Sequence, residues 1–252
     1  MTDKRLVTVI KLDAATVLLQ WATGGLFFLW FTTRKHEMGA GYGWLLRGSF
    51  LVLAAGAAAA GFATHTVMAR EVASIAVAVV SVLTLRRKNA SWDLVAPLIG
   101  VIGLVIAAFD AASGTGDTVV SLLRILVGTA FLGAVSDAML LGHWYLVQPG
   151  LPRSILGELV TALRWITPFE IVVMLLPTGM VSVINGSIDD GWGGMLGWFW
   201  IACGITTIVL TEVTRAALRE RSYSAVMAAT GLLYLAILTA FGTDLVARAV
   251  LA

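Results

Sequence analysis

Apolar runs of about twenty residues, separated by short polar breaks, recur through most of this chain, and each is the length needed to cross a ~30 Å hydrocarbon layer as a helix. The breaks are recognisable: RKHEMGAGYG, RRKNAS, SGTGD, QPGLPR, NGSIDDGWGG and RERS. Hydrophobic residues make up 59% of the 252 residues and charged ones 13%, with a mean hydropathy of +0.91. Lipid is therefore the expected solvent. Backbone polar groups find no water in hydrocarbon, so each span must be helical. The sequence predicts an all-α, polytopic membrane helix bundle of about eight transmembrane helices, at 14–33, 45–69, 71–86, 93–112, 118–148, 155–183, 193–217 and 223–250. The first of these reads as retained, because MTDKRLVTVIKLDAA is too polar for a secretory leader. Residues 1–252 form a single transmembrane domain with no large extramembrane part.

Charge placement sets the orientation. Arg34, Lys35, Arg47, Arg86, Arg87, Lys88, Arg153, Arg215, Arg219 and Arg221 fall on one face, against Lys4, Arg5, Lys11, Arg70 and Arg248 on the other. The positive-inside rule makes the first face cytoplasmic and puts both termini outside, the arrangement expected in a bacterial-type cytoplasmic membrane. Most tryptophans, Trp30, Trp44 and Trp144 among them, lie near span ends and read as an interfacial belt. Gly24, Gly25, Gly128, Gly133 and the alanine–glycine run at 54–61 read as close-packing faces. A faint four-plus-four repeat relates 14–112 to 118–250, carried by Trp30-Phe31 against Trp144-Tyr145 at corresponding helix ends.

Ionisable residues inside spans are expensive and stand out as candidates. With the fifth helix ending near Gln148 and the sixth starting near Ile155, Asp137 and Arg164 lie at depths of roughly 16 and 13–14 Å. The short turn between the helices makes them antiparallel, so the two are expected to meet as a buried ion pair. Glu170, between Pro168 and Pro177, is an intramembrane acid deep in the sixth helix, where prolines free backbone carbonyls. Around the double-proline turn, His143, Trp144, Tyr145 and Glu158 suit an interfacial quinone headgroup or a proton entry point.

No metal centre is expected. His65 with Met68 offers only a weak pair of soft ligands. Haem held by His65 and His143 is disfavoured, because the two belong to opposite faces of the membrane, about 20 Å or more apart. The lone cysteine, Cys203, excludes an intrachain disulfide or a Cys-ligated iron–sulfur cluster. There is no Walker loop, GxGxxG after a strand, HExxH or GxSxG, and no lysine lies within a span to form a retinal Schiff base. Nucleic-acid binding has no surface to act from. The sequence does not decide whether the chain is an enzyme. It points first to an integral membrane subunit of a multi-chain electron-transfer or respiratory complex, with other membrane subunits and the bilayer as partners and a quinone as the candidate cofactor. The alternative is a self-contained proton-coupled transporter of small molecules or ions.

Overall fold

A computed structural model describes residues 12–35, 38–87, 90–111 and 114–251. These residues contain helices and no strand: α1 (Ala14–Thr33), α2 (Ala40–Ala63), α3 (Met68–Thr84), α4 (Val95–Ala111), α5 (Thr115–Val147), α6 (Arg153–Leu175), the short α7 (Gly179–Ile184), α8 (Met195–Ala217) and α9 (Tyr223–Leu251). Six segments are long and apolar enough to cross a membrane: α1, α2, Ser91–Asp110, α5, α8 and α9. The chain is an all-α, multi-pass membrane bundle. Its outer surface carries exposed large aliphatics such as Val52, Leu83 and Leu238, the surface that lipid would cover.

Local chemistry explains most of the boundaries. Asp13 caps α1 by accepting from the Thr16 N–H at 3.3 Å. The second helix runs over 40–63, not 45–69, and a linker at 64–67 separates it from α3. The alanine–glycine run that fills α2 contains nothing to mark an end until Thr64. The sixth helix was expected to continue to 183 but stops at Leu175. Leu176 is extended (ψ 148°), as a residue before proline favours, and Pro177 has no N–H to continue the ladder. Pro168, by contrast, is accommodated inside α6.

The long helices form two rings. In the first, α1, α2, α3 and α4 pack in sequence and α4 closes on α1; in the second, α5, α6, α8 and α9 do the same. The rings join where α5 packs on α1 and α4. At that seam the α1 and α5 backbones nearly touch. A Cβ on Gly24 would strike the Thr129 carbonyl, and one on Gly133 would strike the Gly24 backbone. α1 is the most enclosed long helix for this reason, with Leu19, Ala22 and Leu29 wholly buried.

Both ends of the bundle carry buried charge. At one end Arg47 of α2 grips Asp93 through Nε (2.8 Å) and Nη2 (2.9 Å) and donates Nη1 to the Leu85 carbonyl. Asp93 leads into α4, so this pair ties three helices together. At the other end, Asp190 orders the loop into α8. Its carboxylate accepts from the N–H groups of Trp192, Gly194 and Leu196 at 2.8–2.9 Å. Burial pushes the Asp190 carboxyl up, but these backbone donors outweigh it and hold it below its ordinary value. A depressed carboxylate stabilises the fold fully above its unfolded value and loses that contribution as pH falls through the folded one. Asp190→Ala should therefore cost about 1–3 kcal/mol at neutral pH. Chemical unfolding of the two proteins in detergent should show that gap closing below about pH 4.

Candidate functional site

Charged residues from α3, α5, α6 and α9, with Asp13 before α1, gather at the end of the bundle where α1 begins and α9 stops. Arg70, in the first turn of α3, is wholly buried and saturated with acceptors. Its Nη1 donates to Asp13 (2.6 Å) and Thr16 (3.0 Å), and its Nη2 to the His65 carbonyl (2.7 Å) and Glu71 (2.6 Å). This is a scaffold. It fixes the start of α1 and closes the linker between α2 and α3.

Beside it lies a second cluster whose bonding is incomplete. Arg248 of α9 donates Nε to both oxygens of Asp244 (2.9 Å each) and Nη2 to the Arg124 carbonyl of α5 (2.8 Å). Arg124 in turn donates to the Val173 carbonyl (3.3 Å), which also accepts the Leu176 N–H, and to the Leu176 carbonyl (2.5 Å) just past the end of α6. The Nη1 of each arginine makes no hydrogen bond among the described residues. Gly128 provides the notch for this arrangement. A Cβ there would meet Arg248, with Asp244 at 2.8 Å and Gln20 at 3.2 Å.

Glu170 completes the cluster. It is wholly buried and lies within electrostatic range of Asp244, Arg248 and Arg124. Neither of its oxygens has a hydrogen-bond partner among the described residues. Two carboxyls form a hydrogen bond with one another only when one of them carries a proton. Gln20, also buried, donates to the Ile125 carbonyl (2.7 Å) and leaves its own oxygen unmatched. Glu170 was expected deep in a helix reaching 183. Because α6 ends at Leu175, it lies only five residues, about 7–8 Å, from the helix end.

A cleft of about 460 Å³ opens over this cluster. Asp13, Asp117, Arg124 and Arg248 line it together with apolar walls that include Val17, Ile125, Met174 and Leu251. Met174 follows Glu170 by one turn of α6, so the acid lies on the same helix face one turn further into the bundle. Asp13 and Leu251 share the cleft, so the described chain begins and ends at one end of the bundle.

The other candidates fall elsewhere. The expected Asp137–Arg164 pair does not form. Arg164 turns to Glu212 of α8, which also meets Arg215 at 3.3 Å, and its guanidinium lies 5.5 Å from the centre of the Trp165 ring. Depth arithmetic places a residue along a helix but not around it. The inward stripe of α6 runs through Leu163, Thr167 and Glu170, and Arg164 lies to its side. Asp137 is wholly buried with both carboxyl oxygens unmatched, and Tyr42 is within range of its field.

The residues of the double-proline turn point in different directions. The Tyr145 hydroxyl donates to the Pro152 carbonyl (2.7 Å), closing the turn. Trp144 packs on Tyr42 and donates to Gln148 (3.1 Å), which accepts from the Gly39 N–H. Glu158 pairs with Arg34 and Lys35 at the end of α1. His143 is exposed, with its Nδ1 3.3 Å from the Tyr234 hydroxyl. His65 lies in the linker before α3, and Met68 is that helix's exposed first residue. Among the described residues no group of three or more His, Cys, Asp or Glu side chains is arranged to hold a metal ion.

Sequence reasoning missed Arg124 and its union with Arg248. The one signal was an arginine within an apolar span. No family model, curated protein or solved structure matches this chain.

Arg248 is largely buried, so its partner governs its cost. Asp244→Asn leaves a buried guanidinium short of its counter-charge and should destabilise by about 3–5 kcal/mol. Asp244→Asn combined with Arg248→Gln should recover most of that in thermal melts. Equal losses in the single and double variants would remove the pairing from consideration.

Proposed function

We propose that this protein is a proton-coupled carrier of small molecules or ions, with Glu170 as its proton-binding group and Asp244 as the carboxyl that shares the proton. One observation carries the reading: a fully buried carboxyl with no hydrogen-bond partner among the described residues, within range of a second carboxyl and one helical turn from a residue that lines the cleft. Several other acids are matched, Asp93 and Asp13 to arginines and Asp190 to backbone N–H groups. Buried unmatched acids in membrane helices serve proton and ion paths more often than packing. The matching neighbour order of the two four-helix rings supports the same reading, since many carriers are built from paired repeats. If the basic face is cytoplasmic in a bacterial-type membrane, the cleft opens to the outside, where a carrier drawing on an inward proton gradient would collect its load.

The test has two parts. Infrared spectra of the purified protein across a pH titration should contain a buried carboxylic-acid band that disappears in Glu170→Gln. In proteoliposomes enclosing a pH-sensitive dye, a protein-free filtrate of small cytosolic solutes should drive proton entry through the parent protein and not through Glu170→Gln. An unchanged band and equal proton entry in that variant would overturn the proposal.

A second reading keeps the chain as a membrane subunit of an electron-transfer complex, with a quinone headgroup at His143. What favours it is the pairing of two exposed hydrogen-bonding groups, the His143 imidazole and the Tyr234 hydroxyl, on the side of the bundle. It requires partner chains to co-purify in mild detergent and a redox chromophore to appear in the visible spectrum. A lone, colourless protein would rule it out.

A further inference from the structure

Bonding left open in the cleft narrows what the carrier would take; this step rests on the reading of Glu170 as the proton-binding group. Arg124 and Arg248 each spend Nε and Nη2 on protein acceptors. Both line the cleft, and each keeps Nη1 without a hydrogen bond among the described residues. Arg248 donates to the backbone carbonyl of Arg124, so α9 and α5 meet in the wall to which both side chains contribute. Guanidinium donors converging on a cavity are suited to an oxyanion.

The remaining wall sets the size and charge of that anion. At about 460 Å³ the cleft is within the range of small-molecule sites. Val17, Ile125, Met174 and Leu251 provide surface for a hydrocarbon portion. Two acids stand at the rim: Asp13, held by Arg70, and exposed Asp117 in the first turn of α5. Their field opposes a second or third negative charge on the ligand.

Charge balance then links the anion to the proton. The charged groups whose fields reach Glu170 are Arg124 from α5 and Asp244 and Arg248 from α9. With all four ionised, two positive charges meet two negative ones. A proton on Glu170 leaves one positive charge in excess, and a bound monoanion cancels it. In a poorly solvated cluster each uncompensated charge is strongly unfavourable, so proton and anion favour one another's binding by the same factor. We propose that the cleft binds one small monocarboxylate on the Nη1 groups of Arg124 and Arg248, together with one proton on Glu170. The proton comes from water when the anion enters and returns to water when it leaves. The pair moves without net charge.

Titration calorimetry on the purified protein, in detergent free of anionic lipid, tests this with sodium hexanoate as the probe. Two buffers of different protonation enthalpy at one pH count the protons. The parent should bind one hexanoate and take up one proton. Glu170→Gln should bind hexanoate with no proton uptake. Arg124→Gln should weaken binding about tenfold or more, the loss expected for a charge-assisted hydrogen bond. Arg248→Gln with Asp244→Asn should weaken it similarly, and its melting temperature reports whether the fold survives.

Absence of saturable hexanoate binding, or binding unaffected by both arginine variants, overturns the site. Tighter binding of 6-aminohexanoate than of hexanoate overturns the monoanion in favour of a zwitterion. Stabilisation by phosphatidylglycerol with none by hexanoate makes the cleft a lipid-headgroup site and also overturns the proposal. If hexanoate fails while the infrared band is still lost in Glu170→Gln, only the substrate class falls. If hexanoate binds without a proton in the parent, the coupling falls.

Discussion

A guanidinium group inside a helix bundle is tolerable only when its donors meet acceptors or water in a cleft, because neither lipid nor tightly packed protein replaces the water it gives up. That requirement organises both ends of this molecule. Arg70 brings together the start of α1, the linker after α2 and the first turn of α3. Arg47 joins α2, the end of α3 and the residue that leads into α4. Arg248 and Arg124 link α9, α5 and the open end of α6. Each arginine reads several elements at once, which a lysine with its single point charge would do less well. Against this background the unmatched acids stand out. Glu170 and Asp137 are as buried as Asp93 and Glu71, which arginines grip, yet their oxygens have no partner among the described residues. That contrast separates scaffold from candidate site more sharply than burial alone.

The helices were legible in the sequence wherever an end carried its own chemistry. Asp13 before an apolar run, and Thr32-Thr33-Arg34-Lys35 after it, bound α1 to 14–33, where it lies. The reading weakened where the boundary depended on something other than polarity. Nothing in the alanine–glycine run of α2 distinguishes its last turn from its middle. At Pro177 the chain stays apolar while the helix stops, so hydropathy ran past a break that backbone geometry imposes. That one error moved Glu170 from the depth of a long helix to the last turns of a shorter one.

Around each helix axis the sequence was less informative. The spacing of Asp137 and Arg164 gave a sound estimate of height and none of direction, and Glu212 on a helix 48 residues away took the arginine instead. Arg124 shows a different limit. Its partners in α6 are backbone carbonyls, which no residue type announces. Gly128 read as a packing glycine, and its lack of a side chain does serve a close approach. What approaches is the Asp244–Arg248 pair with Gln20, not a neighbouring backbone. Only in the folded chain does that glycine become part of the cluster.

The two unmatched acids differ in what it takes to reach them. Glu170 is one turn from Met174 of the cleft wall, so a single helical turn separates its carboxyl from the cleft. Asp137 lies among the packed residues of α5, beyond the seam where Gly24 and Gly133 bring two backbones together. No side chain at that contact is able to swing aside, since neither residue has one. Asp137 is therefore enclosed by backbone contact, whereas Glu170 is screened from the cleft by the turn that carries Met174. On the carrier reading proposed above, Glu170 is thus the acid nearer to the cleft and Asp137 the one held in the packed core.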